Sequence, residues 1–111
     1  MKEQFSAKSL SIYITEAEKW NNKPLYEAIL TLCHEKGLVA TIVNRGLEGF
    51  GASARIYHTH SLSISKQSPL TLTIVGKEEQ IAEIQPQLDQ MILSGLITTS
   101  TVEVILYKKD Q

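Results

Sequence analysis

An α+β fold is predicted for this sequence. Apolar residues recur with a period of two in some segments and with a helical period in two others, and these segments alternate as strand, helix, strand, strand, helix, strand. That order is the ferredoxin-like β-α-β-β-α-β arrangement, an antiparallel sheet with both helices on one face. A length of 111 residues fits a single domain.

Leu10 to Thr15 alternates apolar and polar residues, as a half-buried strand does. Trp20 to Pro24 reads as a loop, and Pro24 suits the start of a helix, where its missing N–H costs little. Leu25, Ala28, Ile29, Leu32 and Cys33 then form one apolar stripe, and Gly37 supplies a C-terminal cap. Leu38 to Val43 is a second strand. Ile56 to Ser65 alternates again and fits either an extended arm or an added strand. Leu70 to Val75, opened by Pro69, is a third strand. Ile81, Ile84, Leu88, Met91 and Ile92 share a helical face, with a kink or break expected near Gln85 because Pro86 removes a hydrogen bond. Ser94-Gly95 ends that helix, Val102 to Tyr107 is the last strand, and Lys108 to Gln111 reads as a frayed tail.

Leu10, Ile12 and Ile14, then Leu70, Leu72 and Ile74, then Val102, Val104 and Leu106 are expected to face the helices. The opposite face would carry Ser11, Tyr13, Thr15, Thr71, Thr73, Val75, Glu103, Ile105 and Tyr107, with only one charge. A water-facing sheet ordinarily shows more Lys and Glu, so this face is expected to pack against other copies of the chain. A solvated threonine-rich face is the alternative, since Thr favours strands anyway.

Composition narrows the function classes. A hydrophobic share of 42% and a charged share of 21% are those of a globular domain. A formal net charge of -1 gives no electrostatic case for nucleic acid or an anionic membrane. A single cysteine, Cys33, excludes an internal disulfide and fits a reducing compartment. Met1 to Lys8 lacks the apolar core of a signal peptide, and no apolar run reaches the length needed to span a bilayer. A cytoplasmic location without membrane insertion is the expectation.

The most informative segment is Arg45-Gly46-Leu47-Glu48-Gly49-Phe50-Gly51-Ala52-Ser53-Ala54-Arg55. Closely spaced glycines allow sharp turns and close approach of backbone N–H groups to a partner. Arginine adds a planar fork suited to phosphate or carboxylate. Arg45 and Arg55 are candidates for an anionic group, or for an ion pair within the chain, with Glu48 as one partner. Gly46, Gly49 and Gly51 shape the loop and offer it backbone contacts. Phe50 is either a partner anchor or a plug that pins the loop.

His58 and His60 fall on one side of an extended segment and would make half a metal site, but a zinc site needs three or four ligands. No metal is therefore expected. Cys33 lies on an apolar stripe and reads as a buried, inert thiol. Trp20 and Tyr26 at the first helix start either stack on a flat ring or form an aromatic staple. Glu16 and Glu18 make no acid–base pair, and neither a Ser-His-Asp set, a phosphate loop nor a dinucleotide fingerprint is present. No catalytic constellation emerges, so no enzymatic activity is expected.

Lys23 to Ile29, Ala40-Thr41, Arg45-Gly46-Leu47-Glu48-Gly49-Phe50-Gly51, Pro69 and Gly95-Leu96-Ile97-Thr98 together resemble domain-of-unknown-function family one-ninety, a bacterial branch of the PII-like group. The resemblance runs from about Ser9 to Tyr107. It implies a homotrimer with the sheets turned inward and a small effector, often an adenine nucleotide, held in clefts between subunits. It also implies a long loop, here about residues 46–67, that contacts a target such as a membrane transporter or channel. Gly76 departs from the family, whose members tend to carry an acidic residue just after the third strand. A CutA-like metal-binding stress protein, using His58 and His60, is the alternative within the same superfamily.

Overall fold

The computed structural model describes residues 1–53, 55–58 and 68–109. Strand β1 (Lys2–Thr15) leads to helix α1 (Leu25–Glu35) and strand β2 (Ala40–Arg45); β3 (Pro69–Gly76), α2 (Glu78–Met91) and β4 (Leu96–Tyr107) follow. The four strands make one antiparallel sheet in the order β2-β3-β1-β4. The ferredoxin-like β-α-β-β-α-β order is thus what the chain adopts.

One face of the sheet meets the helices because period two on the strands matches the helical stripes. Leu10, Ile12, Ile14, Leu70, Leu72 and Ile74 pack against Leu25, Ile29, Leu32 and Cys33 of α1 and Ile81, Ile84, Leu88 and Met91 of α2. Each large side chain so enclosed contributes roughly 1.5–3 kcal/mol relative to exposure. Helix α1 stops as its sequence prescribes: Gly37 takes φ 70°, and the Leu38 N–H donates to the Cys33 carbonyl at 3.1 Å. At the start of α2, the Gln80 side chain accepts from the Lys77 N–H at 2.9 Å and donates to the Gly37 carbonyl at 2.9 Å, joining the two helix ends. Gly76 is buried, and a Cβ there would run into the Leu38 side chain. A side chain at that position would require Leu38 to move.

Several expectations need correction. Helix α2 runs through Pro86 without a break. Pro86 and Ala82, whose carbonyl would have received the missing hydrogen bond, are both exposed, so water can serve that carbonyl. Trp20 to Pro24 is a tight hairpin: Lys19 pairs with Pro24 and Trp20 with Lys23, around Asn21 and Asn22 at φ 48° and 65°. Asparagine tolerates that left-handed geometry. Trp20 and Tyr26 pack against the core.

The first and last strands are longer than their apolar patterns. β1 begins at Lys2 and β4 at Leu96, and they pair from Lys2–Tyr107 to Tyr13–Leu96. Lys108 is held too, since its N–H donates to the Met1 carbonyl at 3.0 Å. This register sets Ile97 opposite Ile12 and against the core, whereas Val102, Val104 and Leu106 lie opposite Ala7, Phe5 and Glu3 and outside the core.

By the same alternation, the open face of the four-stranded region comprises Ala40, Ile42 and Asn44; Thr71, Thr73 and Val75; Ser9, Ser11, Tyr13 and Thr15; and Leu96, Thr98 and Ser100. None of these is charged. Glu103, Ile105 and Tyr107 belong to the other side, opposite Ser6, Gln4 and Lys2.

Candidate functional site

The segment after β2 folds back on itself close to its root. The Gly46 N–H donates to the Pro69 carbonyl at 2.8 Å, tying the start of the loop to the first residue of β3. A short antiparallel ladder then pairs Glu48 with His58 and Gly49 with Tyr57. Phe50 is exposed and projects from this hairpin. Of the segment read as an arm or added strand, Tyr57–His58 forms this ladder. His60 and the other residues of that segment beyond position 58 lie outside the described residues.

Between the hairpin, the end of the sheet and the α2–β4 turn lies a groove of about 400 Å³. Gly46, Glu48, Gly49, Phe50 and Gly51 line one wall. Tyr13, Thr15, Glu18 and Thr71 line it from the sheet and the turn after β1, and Ser94-Gly95 from the α2–β4 turn. Gly95 is required there: a Cβ would sit 2.8 Å from the Tyr13 carbonyl oxygen. Gly51 meets only ordinary contacts, its hypothetical Cβ lying 4.0 Å from Tyr13 and Leu96 side-chain atoms.

The two arginines that bracket the glycines go to different places, and neither lines the groove. The Arg45 Nη2 donates to Glu16 Oε2 at 2.6 Å and its Nε to Oε1 at 3.3 Å. The Glu16 side chain is only 11% exposed, that of Arg45 53%. This forked pair raises the guanidinium pKa further above its ordinary value. Glu16 also donates its own N–H to the Ser68 carbonyl at 2.9 Å. One residue therefore holds both roots of the loop. Nearby, burial pushes the Tyr26 phenol up, and the Glu27 and Glu16 carboxylates add to the effect. Arg55 stands over the Tyr57 ring, 5.4 Å from its centroid.

Sequence reasoning did not single out Tyr13, Glu18, Tyr57 or Ser94 for this groove. Glu18 is pinned from several sides. Its Oε2 accepts from the Thr15 N–H at 2.9 Å, its N–H donates to the Thr15 carbonyl at 3.3 Å, and its carbonyl accepts from Leu25 at 2.8 Å. Glu16 and Glu18, which in sequence make no acid–base pair, go to different partners: Glu16 to Arg45 and Glu18 to the Thr15 N–H.

Among the described residues, no group of three or more His, Cys, Asp or Glu is placed to hold a metal ion. No described helix is long and apolar enough to cross a membrane.

Comparison with known proteins settles the family. The profile of the family described as "Uncharacterized ACR, COG1993" (DUF190) matches residues 7–104. The chain belongs to this family. Among DUF190 relatives, a UPF0166 protein of Aquifex aeolicus is 31% identical over 98 residues, 88% of this chain and 92% of the relative. A UPF0166 protein of Methanocaldococcus jannaschii is 27% identical over 99 residues, 88% of this chain and 91% of the relative. In three dimensions this DUF190 chain is similar to CPII, a nitrogen regulatory PII-like protein from Thiomonas intermedia K12 bound to ADP, AMP and bicarbonate. The TM-score is 0.62 at 20% identity, over 92% of this chain and 91% of CPII. A protein from Thermus thermophilus described as PII-like gives a TM-score of 0.60 at 12% identity, over 94% of this chain and 92% of that one. The DUF190 fold is thus a PII-like fold.

Proposed function

We propose that this chain is a PII-like signalling protein and not an enzyme. It assembles as a homotrimer and binds a small anionic effector, an adenine nucleotide, in clefts between subunits. Segment 46–67 then controls a target protein, a membrane transporter or channel in the cytoplasm-facing setting the composition suggests. The observation that carries this reading is the groove at the root of that segment, on a fold shared with a protein solved with ADP and AMP. The uncharged open face of the four-stranded region supports assembly through that face.

In this reading Gly46, Glu48, Gly49 and Gly51 form the effector wall, and Arg55 supplies charge recognition. Arg45 acts from behind the wall by holding the loop root on Glu16. Phe50 is the contact that meets the partner. An effector that orders the hairpin shifts the loop between target-binding and target-free populations.

Native mass spectrometry of the full chain with and without ADP tests both halves. Three copies with nucleotide retained are expected. A monomer that retains no nucleotide removes the proposal.

A further inference from the structure

The groove is built for hydrogen-bond donors and flat rings, not for phosphates. No lysine or arginine is among the described residues that line it, while two carboxylates, Glu18 and Glu48, are. A carboxylate is an acceptor only, and a phosphate beside it would be repelled. The aromatic side chains Tyr13, Phe50 and Tyr57 border the same space and offer faces for a heterocycle. A volume of about 400 Å³ suits a nucleoside-sized occupant.

Resting on the effector reading above, we propose that Glu18 is the residue that reads the sugar of a nucleoside held in this groove. Vicinal sugar hydroxyls donate, and the carboxylate accepts. Glu18 is held in advance for that role, because Thr15 engages only Oε2 and leaves acceptor capacity on the carboxylate. O–H···O⁻ bonds of this kind are short and strong. The base lies against the aromatic rings, and the phosphates point away from the two carboxylates. Phosphates accordingly add little affinity from this wall, and any gain they bring comes from Arg55 or from a neighbouring copy.

The test is calorimetric titration of the full chain with adenosine, 2′,3′-dideoxyadenosine and AMP, repeated with Glu18→Gln. Gln keeps an acceptor for the Thr15 N–H and removes the charge. The dideoxy compound is expected to bind the wild type about tenfold or more weaker than adenosine, and AMP at least as tightly as adenosine. Glu18→Gln should weaken adenosine and leave the dideoxy compound unchanged, whereas a merely structural role would weaken both. Equal binding of adenosine and the dideoxy compound to the wild type overturns the assignment. So does a Glu18→Gln variant that binds adenosine as tightly as the wild type, although the effector reading would then stand. If none of the three ligands binds, both fall.

Discussion

Arg45 and Glu16 lie 29 positions apart in sequence, yet the guanidinium grips the carboxylate through two nitrogens, at 2.6 and 3.3 Å. Glu16 is the more enclosed partner, so losing Arg45 strands a largely covered carboxylate, whereas losing Glu16 frees an arginine that water can serve. Arg45→Ala is therefore expected to lower Tm more than Glu16→Gln. The double variant should lower it by less than the sum of the two, since the pair acts as a unit. Thermal unfolding of the four proteins reads this, and strict additivity would contradict it.

Gly95 and Gly51 line the same groove but differ in what surrounds them. Gly95→Ala should cost on the order of 1–3 kcal/mol, because the new methyl meets the Tyr13 carbonyl oxygen and the Ile14 side chain at 2.8 and 3.0 Å. Gly51→Ala should leave stability within about 0.5 kcal/mol of wild type, as surface changes without a special mechanism do. Denaturant melts that failed to separate the two variants would refute the packing described at the α2–β4 turn.

Helix α2 carries Pro86 on its solvent side at the expense of one backbone bond. Pro86→Ala is expected to stabilise the protein by roughly 1–3 kcal/mol, less than the full propensity difference because the surrounding helix has adapted. An unchanged or lowered denaturation midpoint would show that the proline does more than occupy a tolerant position.

Burial pushes the Cys33 thiol above its ordinary value of 9.0, with a Thr41 hydrogen bond opposing the shift. Between the ordinary and the raised value, the unfolded chain releases a proton that the folded chain keeps. Stability should thus fall as pH rises past about 9, and Cys33→Ala should flatten that part of the profile. In the native state at pH 8 the thiol should react with a disulfide reagent only at the rate of opening. Rapid stoichiometric labelling of folded protein would contradict the burial.

The elements whose signals are local were legible in the sequence. The α1 stripe, its Gly37 cap and the alternation of Leu70 to Ile74 each state their own geometry, and together they gave the strand and helix order. Alternation fixes which residues share a face but not which face meets the core. Val102, Val104 and Leu106 alternate as well as any strand, yet the pairing with β1 gives the core position to Ile97. The run Lys2 to Ser6, polar apart from Phe5, shows no strand signal because its pairing comes entirely from β4. At the candidate site, the glycines announced the loop and several of them line the groove. The partner of Arg45 and the place of Glu18 depend on tertiary contacts that no spacing in the sequence encodes. Asn21-Asn22 was visible as a loop, and only the paired strands on either side fix its two left-handed residues.

The crowding of Gly76 against Leu38 bears on how this branch of the family can vary. A side chain at position 76 must displace the Leu38 Cδ1 methyl and would also crowd the Gln80 and Ile81 side chains. The two positions are expected to drift as a pair across homologues. A Gly76→Asp graft made alone is expected to cost more stability than the same graft joined to Leu38→Ala, which removes the methyl that must otherwise move.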